Sequence, residues 1–381
     1  MTSRQRALLA IHHKEPDRVP FDLTICIDPL LKLLEHLGLS LPSNLEPDRW
    51  GEVLLTPEIA SALGVDFLYL KAGRQTLTKR ITDSSATTTD EWGIKRKKVF
   101  FKDNKFYWEI IHNSLKEASI QNLNDYPWPD PDDPAQYENL LERAMDLYEN
   151  TDFCIIGRFG GSIFETAWYL RGFEQWMTDL KINPEFASAL MNKICDIQIK
   201  IDKNCLNIAG KYIQVLKVAG DDLGMQDSPL ISPSTFRYLI KPVLHRRWKA
   251  AKDTFRLLNP EGTILFHSCG NIYPFINDFI ECGLDILDPI QRISEMDIKK
   301  LKKEFGEKLT FHGAIDTQKL LPFGSPEDIK REVRKTIQIL GKNGGYILAP
   351  VHNVQTDVPP ENILALSEAV KEYGIYPAPS A

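Results

Sequence analysis

The sequence predicts an α/β fold: a (β/α)8 barrel of the TIM type with an antiparallel β-meander inserted near its N-terminus. Three observations predict it. About eight short apolar runs punctuate the chain, the number a closed parallel barrel needs. Stretches with apolar residues at three-to-four spacing separate the later runs, the pattern of strand–helix–strand units. Most runs stop at a polar or ionisable residue, and barrel enzymes keep their active sites on the loops that follow the strands.

In chain order, the strands are expected at Val19–Cys26, Asp66–Lys71, Phe153–Arg158, Gln214–Ala219, Thr263–His267, Ile286–Asp288, Leu309–His312 and Tyr346–Ala349. Phe186–Ile208 and Thr235–Phe255 carry helical apolar spacing. Ser325-Pro326-Glu327-Asp328 supplies an N-cap, a proline and an acidic first turn for another helix. Asp357-Val358-Pro359-Pro360-Glu361-Asn362 opens the last helix in a similar way. One segment breaks the rhythm: from Thr76 to Lys116 short β-like runs alternate with turns, which places the meander within residues 72–118. Tyr126-Pro127-Trp128-Pro129-Asp130-Pro131 follows as a stiff, extended connector. Residues 1–381 are read as one barrel domain with a loose tail, Pro377-Ala378-Pro379-Ser380-Ala381.

Composition narrows the function classes. With 381 residues and 43% hydrophobic content the chain can bury a large core. Lys plus Arg total 46 against 52 Asp plus Glu, a net charge of −6, which argues against nucleic-acid backbone as a partner. No apolar run approaches the roughly 20 residues that span a bilayer. The start, MTSRQRALLAIHHKEPDR, is charged and lacks a secretory apolar region, so a cytoplasmic protein is expected. Six cysteines lie scattered, which in that compartment reads as thiols or metal ligands rather than disulfides. No GxGxxG follows a strand, and neither GxxxxGK[ST] nor GxSxG occurs.

The chemistry concentrates at the strand ends. Phe266-His267-Ser268-Cys269-Gly270-Asn271 follows buried-strand material. His267 and Cys269 lie two apart, so extended backbone points both side chains the same way, and imidazole with thiolate is a usual zinc pair. A satisfied histidine beside a buried thiol is the plainer reading. Ile347-Leu348-Ala349-Pro350-Val351-His352-Asn353 ends another strand on a histidine. His267, Cys269 and His352 together make three ligands with a fourth position left open, the arrangement of a catalytic zinc; otherwise His352 merely hydrogen-bonds a loop. Val218-Ala219-Gly220-Asp221-Asp222 sets two carboxylates after a strand, with Gln226 soon after. Such acids serve as general base, orienting group or substrate anchor, or one of them simply caps a turn. Gly160-Gly161-Ser162-Ile163-Phe164-Glu165-Thr166-Ala167-Trp168-Tyr169 offers Glu165 for proton transfer or a metal, and aromatic rings for a pocket or for helix packing. His312 and Asp316 in FHGAID, and Gln291 after Asp288-Pro289-Ile290, complete the candidates, with His312 equally readable as a barrel-layer residue.

These blocks resemble the uroporphyrinogen decarboxylase superfamily, and within it the cobalamin-dependent methyltransferase branch. The resemblance runs over nearly the whole chain: RQRALLAIHHKEPDRVP, EWG, YPWPDPDD, GSIFETAWYLRG, DDLGMQDSPLISP, FHSCGNIYPFINDFIECGLDILDPIQ, FHGAIDTQKLLPFGSPEDI and GGYILAPVHNVQTDVPPENI. The decarboxylase itself is a poor match. FDLTICIDPL lacks the arginines expected after its first strand, and DFLYLKAGRQ lacks the following aspartate. In the methyltransferase branch a His-x-Cys pair and a later cysteine bind zinc. His267 and Cys269 match the pair, and His352 stands at the later cysteine's position. The resemblance implies a zinc enzyme that moves a methyl group from an O- or N-methylated small molecule to a corrinoid carried on a partner protein. It implies catalytic roles for Asp221, Asp222 and Glu165, and substrate contacts from Tyr169, Gln226, Gln291, His312, Asp316 and Asn353. A homodimer is compatible with this reading. The alternative is a metal-free decarboxylase or other lyase.

Overall fold

In the computed structural model most of the apolar runs become neighbours in one parallel sheet. The structure describes residues 1–40, 42, 45, 47–48, 50–72, 86–100 and 106–376. Its strands are β1 (Ile25–Cys26), β2 (Glu52–Val53), β3 (Phe67–Lys71), β4 (Thr87–Thr89), β5 (Lys95–Phe100) and β6 (Phe106–His112). Then follow β7 (Cys154–Arg158), β8 (Val215–Gly220), β9 (Thr263–His267), β10 (Ile286–Ile290), β11 (Thr310–Ile315) and β12 (Tyr346–Pro350). The parallel sheet runs β12-β11-β10-β9-β8-β7-β3.

The first barrel strand departs from expectation. Val19–Cys26 does not form one continuous strand. Phe21 makes a single parallel bridge to Leu348, and Ile25–Cys26 pairs antiparallel with β2 instead. The Pro20 carbonyl accepts from Leu348 N at 2.9 Å, and Asp22 N donates to Leu348 O at 2.9 Å. On the other side Asp66 N donates to Phe21 O at 2.8 Å. This short stave joins β12 to β3 and closes the barrel. Below it, Asp66 is fully buried and takes Arg6 and Arg18, both at 2.7 Å, which fastens the N-terminal helix Ser3–Ile11 under the barrel floor.

The other elements follow their sequence signals. The helices Pro184–Ala209 and Lys241–Leu258 cover the outer face, the second preceded by a widened turn at Phe236–Ile240. Ser325 and Asp328 form a capping box for Pro326–Thr336, and Pro360 opens the helix Pro360–Tyr373. The meander is present as the antiparallel sheet β4-β5-β6; its first expected run, residues 76–83, lies outside the described residues, as does the tail. Trp128 of the connector packs edge-on against Trp92 and Tyr126, seating that sheet. Among the described residues no helix is long and apolar enough to cross a membrane.

Strand alternation decides what fills the barrel. Phe67, Ile156, Val215, Leu265, Ile286 and Ile347 make an inner apolar cluster, while Leu68, Ile155, Leu216, Ile264 and Leu287 face the helices. Side chains two residues further along a strand return to the same face. Directly above the inner apolar layer therefore come Tyr69, Arg158, Lys217, His267 and Asp288, a polar layer at the C-terminal mouth.

Candidate metal centre and active site

The polar layer is tied together by hydrogen bonds. His267 Nδ1 lies 2.8 Å from Asp288 Oδ2, and Lys217 Nζ lies 3.0 Å from the same oxygen. Asp288 Oδ1 meets His312 Nδ1 at 2.8 Å, and His312 Nε2 meets Asp22 Oδ2 at 2.9 Å. Tyr69 donates to Asp22 Oδ2 at 2.5 Å. Burial works against charge here, but Lys217 and then His267 and His312 hold the Asp288 carboxyl well below its usual range. Burial also opposes the His267 imidazolium, yet Cys269 and Asp288 raise its pKa well above the ordinary value.

At the surface of this layer sits one compact donor set. Cys269 Sγ is 3.2 Å from His267 Nε2, and Asp222 Oδ1 is 3.8 Å from that nitrogen. Asp222, His267 and Cys269 offer ligand atoms that all lie within 4.8 Å of one another. Four-coordinate zinc, with bonds of about 2.0–2.3 Å, spaces its ligand atoms roughly 3.3–3.6 Å apart, so the set fits that ion with small adjustment. The backbone shapes it. Ala219 turns left-handed with φ 65 before Gly220, which throws Asp221 and Asp222 over the mouth. Gly270, at φ 83, lets Asn271 N reach Met225 O at 2.7 Å, so the loops after β8 and β9 lock together. A Cβ on Gly270 would meet Gly224 backbone at 2.4 Å. Asp222 Oδ1 also accepts from Cys269 N at 2.8 Å, fixing the carboxylate beside the thiol.

The two acids after β8 divide their work. Asp221 is buried and accepts from Ile163 N at 3.1 Å and Glu165 N at 2.9 Å, capping the helix Phe164–Arg171 from another loop. Burial pushes its pKa up to about 7 despite those bonds. Asp222 stays partly exposed. Glu165 lies between them: its Oε1 accepts from Asp222 N at 3.4 Å and its Oε2 from Tyr169 OH at 3.4 Å. Burial first, then the Asp222 and Asp221 charges, push Glu165 up to about 8.

The remaining expected residues fall in different places. His352 is not part of the compact set. Its imidazole is exposed at the mouth, with Nδ1 3.4 Å from Asn353 O, though close enough for His267 to help lower its pKa after the surrounding protein does so. Asn353 donates to Glu52 Oε2 at 3.0 Å. Gln291 accepts from Gly270 N at 2.7 Å and donates to the exposed Gln226 at 3.3 Å, so the pair borders the Cys269 loop. Asp316 is taken up by its own turn, accepting from the N–H groups of Gln318, Lys319 and Leu320. His312 is buried with both nitrogens committed to carboxylates, which leaves it no free nitrogen for a ligand. Trp168 packs edge-on against Phe164, Tyr169 and Phe173.

Sequence reasoning overlooked Asp288 and Lys217, and it missed a second cluster. Glu52, on the short strand β2, meets Arg158 Nη1 at 2.5 Å and Lys71 Nζ at 3.6 Å. Burial opposes its charge, but Arg158 and Lys71 bring its pKa down to about 2. The available signal was parity: these cations and Asp288 sit two or four residues past an inward apolar residue on their strands.

Comparison with known proteins follows the same lines. A family model described as uroporphyrinogen decarboxylase (URO-D) matches residues 111–373. The chain is 26% identical to the uroporphyrinogen decarboxylase of Pseudoalteromonas atlantica over 269 residues, 67% of this chain and 68% of that one. It is 28% identical to the methylcobamide:CoM methyltransferase MtaA of Methanosarcina barkeri over 384 residues, 98% of each chain. Among solved structures, a methyltransferase from Methanosarcina mazei superposes with a TM-score of 0.64 at 19% identity, covering 98% of this chain and 99% of that one, a likeness of fold.

Proposed function

The chain belongs to the uroporphyrinogen decarboxylase (URO-D) family, and from that premise we propose that it is a zinc-dependent methyltransferase. It moves a methyl group from a small O- or N-methylated molecule to a corrinoid carried by a partner protein. The observation that carries this reading is the donor set: His267 Nε2 and Cys269 Sγ stand 3.2 Å apart with Asp222 alongside, and Asp288 takes the other imidazole nitrogen. A decarboxylase that holds its substrate by hydrogen bonds has no need of a thiol so placed. The 98% coverage of a methylcobamide methyltransferase, against 67% for a decarboxylase, favours the same side.

In this reading His267, Cys269 and Asp222 would hold the metal and leave a fourth position for the substrate heteroatom, with His352 at the mouth beside it. Bound there, zinc supplies Lewis-acid stabilisation of negative charge on the heteroatom that gives up the methyl group. The protein's own groups do the rest. Asp288 accepts the Nδ1 proton of His267, which fixes the ring and leaves the Nε2 lone pair free. Burial raises the Glu165 pKa to about 8 in the metal-free protein, and in this reading its carboxyl, beside the donor set, is the group that gives a proton to the departing heteroatom. Asp221 anchors the helix that carries Glu165. Tyr169, Gln226, Gln291 and Asn353 are the substrate contacts in this account, while Asp316 and His312 are occupied with the protein itself.

The test is metal analysis joined to turnover. The purified protein is expected to hold about one zinc per chain and to methylate free cob(I)alamin from an O- or N-methyl donor. Cys269→Ala is expected to lose both. Retention of zinc and turnover by that variant overturns the reading, and a zinc-free protein that releases carbon dioxide from an acid substrate replaces it with the lyase.

A further inference from the structure

Beneath the metal centre lies an imidazole that the proposed reaction leaves unused. His312 is 5% exposed and stands between two carboxylates, 2.8 Å from Asp288 Oδ1 and 2.9 Å from Asp22 Oδ2. We infer that His312 is a fixed imidazolium, a positioning residue whose charge keeps Asp288 in place under His267 and so keeps His267 Nε2 turned toward Cys269. The last step rests on the zinc reading; the charge on His312 does not.

Proton counting carries the argument. Ionised carboxylates only accept hydrogen bonds, and a neutral imidazole has one N–H. A neutral His312 would set a bare nitrogen against one of the two carboxylates. Neither aspartate is arranged to supply the missing proton. Asp288 Oδ2 already receives Lys217 Nζ at 3.0 Å and His267 Nδ1 at 2.8 Å. Asp22 receives Tyr69 OH at 2.5 Å and Leu23 N at 2.8 Å. Asp288 is ringed by donors and cations, the surroundings that favour its charged form. His312 and Lys217 then balance Asp22 and Asp288 one for one in a buried layer, where an unpaired charge is costly. Burial disfavours the cation, but Asp288 and Asp22 outweigh it and hold the His312 pKa up at about 9. His267, whose pKa Cys269 and Asp288 raise against burial on the thiol side of the layer, gives its Nδ1–H to Asp288, which fixes the nitrogen that faces the thiol.

Two measurements test this. In metal-free protein labelled with 15N-histidine, the His312 ring is expected to carry protons on both nitrogens from pH 6 to 8, assigned by the signals lost in His312→Gln. One unprotonated nitrogen in that range overturns the inference. Second, zinc affinity is read by chelator competition. His312→Gln is expected to weaken it about 10- to 100-fold, the usual effect of removing a partner that orients a ligand; equal or tighter binding overturns the positioning role. The double variant Asp22→Asn with His312→Gln removes the stranded charge together with its partner. It is expected to unfold at a higher urea concentration than His312→Gln alone, and a midpoint no higher overturns the charge balance. If His312→Gln does not fold, the wild-type spectrum decides, its His312 signals assigned by their loss in the double variant. A wild-type protein that binds no zinc refutes the metal reading, while the spectrum still decides the state of His312.

Discussion

Replacing Glu165 by glutamine separates burial of a charge from every other role at the mouth. The wild-type carboxyl moves from an ordinary value of 4.5 to about 8, chiefly because burial withholds water from the anion and secondly because Asp222 and Asp221 repel it. At about 1.4 kcal/mol per tenfold change in proton affinity, the ceiling on that cost is about 5 kcal/mol. Glu165 is not fully enclosed, so solvent screening brings the expected figure to about 2–3 kcal/mol. The sign follows from proton counts. Between pH 4.5 and about 8 the folded metal-free protein keeps the Glu165 proton and the unfolded chain has lost it. Stability therefore falls as pH rises through that window, and the full cost is present above it. The amide of the Glu165→Gln variant does not ionise. The difference in unfolding free energy, variant minus wild type, is expected to grow by about 2–3 kcal/mol between pH 5 and pH 9, measured by urea denaturation of metal-free protein. A difference that stays flat across that range refutes the account of Glu165 as a carboxyl kept neutral by its surroundings.

Three more outcomes follow from the same site. Asp222→Asn is expected to lower zinc affinity more than His352→Ala, because Asp222 lies in the compact donor set and His352 does not; chelator competition on both variants checks it, and the reverse order makes His352 the third ligand. Glu52→Gln takes away the anion that Arg158 meets at 2.5 Å, while Lys71 keeps Asp48 at 2.9 Å, and is expected to cost about 2–4 kcal/mol at pH 7 by urea denaturation. That cost should shrink as pH falls from 4.5 toward 2: the depressed carboxyl stabilises the fold only while ionised, and wild-type Glu52 is itself protonated near pH 2.

Much of the barrel was legible because its signals are local. Runs such as Ile264-Leu265-Phe266 are too short and too apolar for anything but buried strands, and their ends shift by at most three residues in the structure, the most at β11, which runs on to Ile315. Ser325 and Pro326 announce a helix by capping chemistry that needs no tertiary contact. The first strand was misread because Val19–Cys26 has the composition of a strand, yet its partners decide otherwise: Leu348 takes only Pro20–Asp22, and the short strand β2 claims Ile25 and Cys26. The site divides in the same way. His267 and Cys269 are two apart and share a face on the chain itself, so their pairing could be read directly. Asp221 and Asp222 were visible as a pair, but which one caps a helix and which one faces the thiol depends on a loop 56 to 58 residues away. Asp288 and Lys217 reach their partners only when β8 to β11 pair side by side, and Asp22 only when the barrel closes, with His312 and Asp22 separated by 290 residues in sequence. His352 shows the limit from the other side. Its position after a strand end was read correctly, but the turn of its side chain is set by contacts around the mouth, and these leave it outside the compact donor set.

The measurement that bears most directly on the account is zinc content together with methylation of cob(I)alamin, made in parallel on wild type and Cys269→Ala. About one zinc per wild-type chain, turnover that depends on it, and loss of both in the variant are the predicted results. A wild-type protein that transfers no methyl group with zinc bound, or transfers it equally well without zinc, contradicts the account.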